Sequence, residues 1–201
     1  MQAVFSESAE RNKHPILEKL HPLLVTRKSV LEIGSGTGQH AVFFAAALPH
    51  LQWHPSELLE KLPLLSNHCS GHPLDNLAPP IALDIDAAKW PTVQVDAVFT
   101  ANTLHIISWP QVCRFFTQVG KLLPEHGICC IYGPFNIDGR YTSESNAQFD
   151  HWLKNRNPES GIRDIANLQQ HARICSLSLQ ENYAMPANNR LLIWGKCTSV
   201  E

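Results

Sequence analysis

An α/β fold with a mainly parallel sheet is predicted by three observations. Short apolar segments alternate with helix-like segments along most of the chain, as strand-helix-strand crossovers require. The first such strand runs into a turn with glycine at alternate positions, VLEIGSGTGQH at residues 30–40. The last two apolar segments are joined by MPANN, a turn-rich link suited to an antiparallel hairpin.

Residues 8–24 read as an opening helix, with Ile16, Leu17, Leu20, Leu23 and Leu24 at helical spacing and Pro15 and Pro22 blurring its limits. Residues 30–33 form the first strand, and residues 40–48 a helix stopped by Pro49. A short second strand is expected at 51–54, after which Ser56 is placed to cap a helix reaching about Cys69. A proline-rich loop leads to a third strand at 81–83, and VDAVFT at 95–100 is the fourth. Ser108 and Gln111 have capping-box spacing for a helix ending near Leu123. Residues 127–132 form the fifth strand. Two helices follow: one is capped near Ser145, with Phe149, Trp152 and Leu153 on one face, and one starts after Asp164, with Ile165, Leu168 and Ala172 inward. Strands at 176–184 and 190–197 complete the chain.

With 201 residues and 44% apolar content, a single domain over 1–201 is expected. Sixteen basic against eighteen acidic residues leave a net charge of −2 and no dense Lys/Arg run, which argues against a nucleic-acid partner. The six cysteines form no C-x-x-C, and Cys129–Cys130 lies in the apolar run ICCIY, so reduced core thiols are expected. The opening MQAVFSESAERNK has neither a basic start nor an apolar signal core, and the expectation is a cytoplasmic protein without a membrane span. A metal site drawn from His68, Cys69 and His72 is a weak reading, because three loop ligands are poor evidence.

The glycine turn marks a site where backbone approaches a nucleotide-like ligand. Glu32, inside the strand that feeds it, separates the candidate ligands. A carboxylate repels a pyrophosphate, whereas the methionine tail of S-adenosylmethionine (SAM) carries an ammonium that an acid receives. The dinucleotide pattern read from Gly34 fails at Gln39; read from Gly36 it ends acceptably at Ala41, so the turn alone leaves NAD open. Glu57 stands close to the roughly 20-residue offset of a ribose-binding acid, the alternative being a first-turn helix glutamate. Asp84 is placed to accept an adenine amino group with Ile85 against the ring, and Asp86 is its alternative. Asn102 and His105 leave the fourth strand at the ligand edge. His105 is the first candidate for a general base because an unperturbed imidazole titrates near neutrality. Tyr132 follows.

Together, Glu32, Gly34, Ser35, Gly36, Gly38, Glu57, Asp84, Ile85 and Asn102 resemble the cofactor set of class I SAM-dependent methyltransferases. More narrowly, FSESAERNKHPIL, VLEIGSGTGQHAVFFA, WHPSE, NTLHIISW, YGPF, TSESNAQFD, GIRD and MPANNRLLI are similar to a poorly characterised family, often filed as a domain of unknown function, that includes methyltransferase-like protein 26. Glu57 departs from the shorter aspartate common there, and Ser108 from a proline. The resemblance implies a Rossmann-like, seven-stranded sheet with an antiparallel last strand and helices on both faces. It implies SAM as cofactor, with Arg11 and Asn12 of the N-terminal segment closing over its methionine end. Residues 133–164 are the expected lid and acceptor pocket. The acceptor, expected to be a small molecule, is not implied. Two rival readings remain: a fold that binds SAM without catalysis, and an NAD(P)-dependent reductase, which lacks its Tyr-x-x-x-Lys pair here.

Overall fold

The computed structural model describes residues 5–197; residues 1–4, part of the opening stretch read for a signal, and 198–201 lie outside it. The chain divides into two compact units, Met1–Thr100 and Ala101–Glu201. Within the first unit the strands lie side by side in the order Ile81–Ala82, Gln52–Glu57, Ser29–Ile33, Ala97–Ala101, and within the second in the order Ile128–Gly133, Asn189–Lys196, Leu177–Met185.

In the first unit, α1 (Glu7–Leu24) starts at Ser6, whose side chain accepts from the Ala9 amide, and runs through both prolines. It buries Ile16, Leu20 and Leu24 against its neighbours. The sheet strands are β1 (Ser29–Ile33), β2 (Gln52–Glu57), β3 (Ile81–Ala82) and β4 (Ala97–Ala101). β1 lies between β2 and β4, parallel to both, and β3 pairs parallel with β2. The helices are α2 (Gln39–Ala47) and α3 (Leu62–Ser70). Phe44 of α2 packs on Trp53 of β2 and Phe99 of β4, with ring centroids 5.4 and 5.3 Å apart. Rings at this spacing add edge-to-face attraction to a fully dehydrated core.

The second strand corrects the sequence reading. It continues to Glu57, and α3 starts only at Leu62 with Lys61 before it. Ser56 therefore caps no helix. It is buried in the strand, donating from Oγ to the Glu32 carbonyl at 2.6 Å and accepting at its own carbonyl from the Ser35 amide. A hydroxyl with a strand partner is satisfied there, so local cap propensity loses to β pairing. Glu57 is likewise a strand-end acid and not a first-turn glutamate.

In the second unit, α4 (Trp109–Leu122) carries the expected capping box of Ser108 and Gln111. It buries Val112, Phe115, Phe116 and Val119. β5 (Ile128–Gly133) pairs antiparallel with β9 (Asn189–Lys196), and β9 pairs antiparallel with β8 (Leu177–Met185). The terminal hairpin thus stands as read, turned by a short 3-10 segment at Pro186–Asn188. α6 (Ile165–Ile174) is capped by Asp164 and buries Ile165, Leu168 and Ala172 as expected.

Two features escaped the hydrophobic pattern. β6 (Phe135–Asn136) and β7 (Arg163–Asp164) form a separate two-stranded parallel pair. The helix α5 (Glu144–Arg156) is capped by Ser143, not Ser145, and it turns Asn146, Asp150 and Leu153 inward while Trp152 stays half exposed. Its inward face is polar because Asp150 serves backbone and side-chain donors nearby, a role periodicity cannot register.

Candidate functional site

The first unit builds a turn with its carboxylates already in place. Gly34, Gly36 and Gly38 all have positive φ, at 72, 56 and 81°. A Cβ on Gly36 would meet nothing within 4 Å, so this glycine faces open space. A Cβ on Gly38 would come within 2.9 Å of Leu65 and 3.1 Å of His68, so that glycine serves packing on α3.

Glu57 holds the turn. One carboxylate oxygen accepts from the Gly36 amide at 3.0 Å and the other from the Leu58 amide at 2.8 Å. Each oxygen keeps a second acceptor position, so these bonds leave room for a ligand hydroxyl. Glu32 is buried, and its Oε2 accepts from the Trp53 indole at 2.7 Å. Burial pushes its carboxyl up to about 7, and the nearby Glu57 charge adds to this, against the hydrogen bonds from Trp53 and Ser35. A cation bound beside it would restore the ionised form. Ser35 is buried between the strands, its hydroxyl accepting from the Ser56 amide at 3.1 Å.

Asp84 lies exposed after β3, where its side chain accepts from the Asp86 amide at 2.8 Å, and the neighbouring Ile85 is buried. Arg11 stands on the exposed side of α1, 3.2 Å from Glu7. Asn12 is buried and receives the His40 imidazole at 2.6 Å. Burial lowers His40 to about 4, which keeps it neutral and donating.

In the sequence Gln39 signals only a break in the dinucleotide pattern that starts at Gly34. In the structure its amide clamps Ser6: Oε1 accepts from the Ser6 amide at 2.6 Å, and Nε2 donates to the Ser6 carbonyl at 3.3 Å. Gln39 and His40 thereby tie the start of α2 to α1. Trp53 is the other residue missed. An indole diagonal to an acid across two neighbouring strands leaves no signature along either strand, since the contact is set by register.

The second unit holds Asn102, His105 and Tyr132. Asn102 adopts φ 57°, and its amide donates to the Tyr132 carbonyl at 2.9 Å. Tyr132 is buried in β5. His105 is 6% exposed. Its carbonyl accepts from the Gly161 amide at 2.9 Å, and its ring meets Phe149 edge-on at 5.3 Å. Burial lowers its imidazole to about 4, helped by the Arg163 charge. This corrects the reason for which it was singled out: the imidazole does not titrate near neutrality. It is neutral at physiological pH and correspondingly a weaker base.

Arg163 fixes the turn that carries His105. Its Nε donates to the Leu104 carbonyl at 3.0 Å, and its Nη2 to the carbonyls of Ile107 and Glu159. Asp150, almost fully buried, accepts from the Ile162 amide, the Tyr141 hydroxyl and the Lys154 ammonium at 2.6, 2.7 and 2.6 Å. Within the expected lid, residues 139–144 and Ala147 line an open cavity of about 440 Å³. Among the described residues no group of three or more His, Cys, Asp or Glu is gathered to hold a metal ion, and no helix is long and apolar enough to cross a membrane.

Solved structures of methyltransferases share this architecture. The SAM-dependent methyltransferase SibL superposes with a TM-score of 0.80 at 20% identity, over 94% of this chain and 56% of its own. An O-methyltransferase family protein from Burkholderia thailandensis gives 0.82 at 16%, over 97% and 59%. Human N-acetylserotonin methyltransferase, solved with SAM, gives 0.82 at 13%, over 96% and 53%. The fold class is therefore that of the Rossmann-like methyltransferases, and the chain spans little more than half the length of these proteins. Over residues 3–196 the sequence belongs to the family described as "Protein of unknown function (DUF938)".

Proposed function

We propose that this protein is a SAM-dependent methyltransferase acting on a small-molecule acceptor, with 1–201 as one catalytic domain. The observation that carries this reading is the pairing of two acids with an open glycine turn in the first unit. Glu57 is buried and already fixed by the Gly36 amide, and Glu32 is a buried acid whose ionisation waits for a cation. That pair of acceptors fits the ribose hydroxyls and ammonium of SAM and repels a pyrophosphate. The methyltransferase architecture of the similar structures supports the same reading. The finer likeness to the family of methyltransferase-like protein 26 rests on the sequence motifs.

SAM supplies an electrophilic methyl group on a sulfonium that is its own leaving group. What the chain contributes is placement. Ser35, Gly34 and Gly36 offer backbone while Gly38 lets the turn pack on α3, Glu57 accepts from ribose, Asp84 and Ile85 receive adenine, and Arg11, Asn12 and Asn102 complete the cofactor contacts. Alignment at near-attack distance is worth roughly 7–11 kcal/mol, so little covalent machinery is required. His105, and after it Tyr132, are the candidates to take a proton from the acceptor. The six free thiols support a reducing, cytoplasmic location.

Calorimetry tests the cofactor. SAM and its demethylated product are expected to bind and NADH to stay silent; NADH binding in place of SAM would falsify the class. Labelled SAM offered with metabolite pools then separates an enzyme from a SAM-binding protein, because only the enzyme moves the label.

A further inference from the structure

Trp53 is held in place by both its main chain and its ring. It lies fully buried on β2, with its ring against Phe44 of α2 at 5.4 Å and Phe99 of β4 at 6.0 Å. Its amide donates to the Asn76 carbonyl and its carbonyl accepts from the Ala78 amide, each at 2.8 Å. An indole fixed in this way donates in one direction, and there it meets Glu32 Oε2 at 2.7 Å. Satisfying the indole does not account for the acid. The indole nitrogens of Trp90 and Trp194 are buried without a hydrogen-bond partner, so this chain folds with bare indoles elsewhere. A carboxyl is the harder group to bury, and Glu32 is only 2% exposed.

We propose that Trp53 is a positioning residue of the cofactor site: its indole holds Glu32 by Oε2 and leaves the rest of the carboxylate to the ammonium of SAM. The inference rests on the methyltransferase reading and assigns a residue that the reading does not use. An indole N–H only donates, so it favours the ionised acid and cannot take up the acid's proton. Proton and ammonium therefore compete for the lone pairs that remain, and Trp53 tips that competition toward the ammonium. Three other groups face the same carboxylate. The Ser35 hydroxyl also favours its ionised form, the Glu57 charge opposes it, and the Cys69 thiol of α3 stays protonated beside it.

Trp53→Phe keeps a ring against Phe44 and Phe99 and removes the donor. Calorimetry on the full chain should show SAM affinity rising with pH as Glu32 ionises, with a wild-type midpoint at about 7. In Trp53→Phe the midpoint should move up by roughly one pH unit, leaving SAM about fivefold weaker at pH 7 and recovering above about pH 8. A tryptophan needed for packing alone would lower stability and affinity at every pH without moving the midpoint. A second measurement decides the matter without a Trp53 variant. In wild type one indole N–H resonance should follow the ionisation of Glu32, and that response should vanish in Glu32→Gln, which keeps an acceptor for the indole. Indole resonances that ignore the ionisation of Glu32 overturn the proposal. SAM binding with an unmoved midpoint in Trp53→Phe overturns the proposal alone, whereas no SAM binding at any pH overturns the cofactor reading and the proposal with it.

Discussion

The Glu57 carboxylate accepts a hydrogen bond from the Gly36 amide at 3.0 Å, joining the end of β2 to the middle of the glycine turn. One acid therefore shapes the turn and presents its remaining lone pairs to whatever the turn binds. Glu57→Ala should weaken SAM binding tenfold or more, a loss of about 1.4 kcal/mol or above. Glu57→Gln keeps one acceptor and should lose less stability in urea than Glu57→Ala while still binding SAM poorly. Calorimetry on both variants checks this. Unchanged affinity would remove Glu57 from the site.

The glycines of the turn should separate ligand space from packing. Gly36→Ala meets no neighbour within 4 Å and pays only for a left-handed alanine, about 1 kcal/mol. It should fold and lose SAM affinity. Gly38→Ala adds a 2.9 Å contact with Leu65 to the same backbone penalty, so it should show the larger fall in thermal midpoint. Equal stability losses in the two variants would contradict this division.

Glu32 makes stability and ligand affinity run in opposite directions with pH. Its folded pKa, raised to about 7 from 4.5, means that the native state keeps a proton which the unfolded state releases. Stability therefore falls as pH rises from 4.5 to 7, by roughly 3 kcal/mol in total, and levels off above that. Glu32→Gln should flatten this slope and be the more stable protein above pH 7. A cationic ligand needs the ionised acid, so SAM binding should release protons at about pH 6.5. Calorimetry in buffers of different ionisation enthalpy reads that release, and a buffer-independent heat would exclude Glu32 as the ammonium partner.

Much of the candidate site in the first unit was legible because its signals are local. An acid before alternating glycines, a second acid at the next strand end, and a capping box at Ser108 each declare themselves within a few residues. What stayed hidden depends on register or burial. Ser56 looked like a cap until β2 was seen to run through it, and Trp53 meets Glu32 only once β1 and β2 pair. Asp150 faces inward on a helix whose aromatics suggested the opposite side. The low proton affinity of His105 has no local signal either, since it comes from burial and from Arg163, far along the chain.

Asp150 should be the residue on which the fold of residues 139–163 depends. Burial alone would raise its carboxyl, but Lys154, Tyr141 and the Ile162 amide outweigh that and hold it below the ordinary value of 3.8. A depressed folded pKa gives stability that is present above 3.8 and is lost as pH falls through the folded value. Asp150→Ala strands the buried Ile162 amide, and it should cost about 1–3 kcal/mol, as leaving a buried donor unpaired does. Lys154→Met removes the partner that is half exposed and should cost under about 1 kcal/mol. Hydrogen exchange at Ile162 provides the local readout: it should quicken sharply in Asp150→Ala and little in Lys154→Met. Matching protection in both variants would show that the carboxylate does not hold this segment to α5.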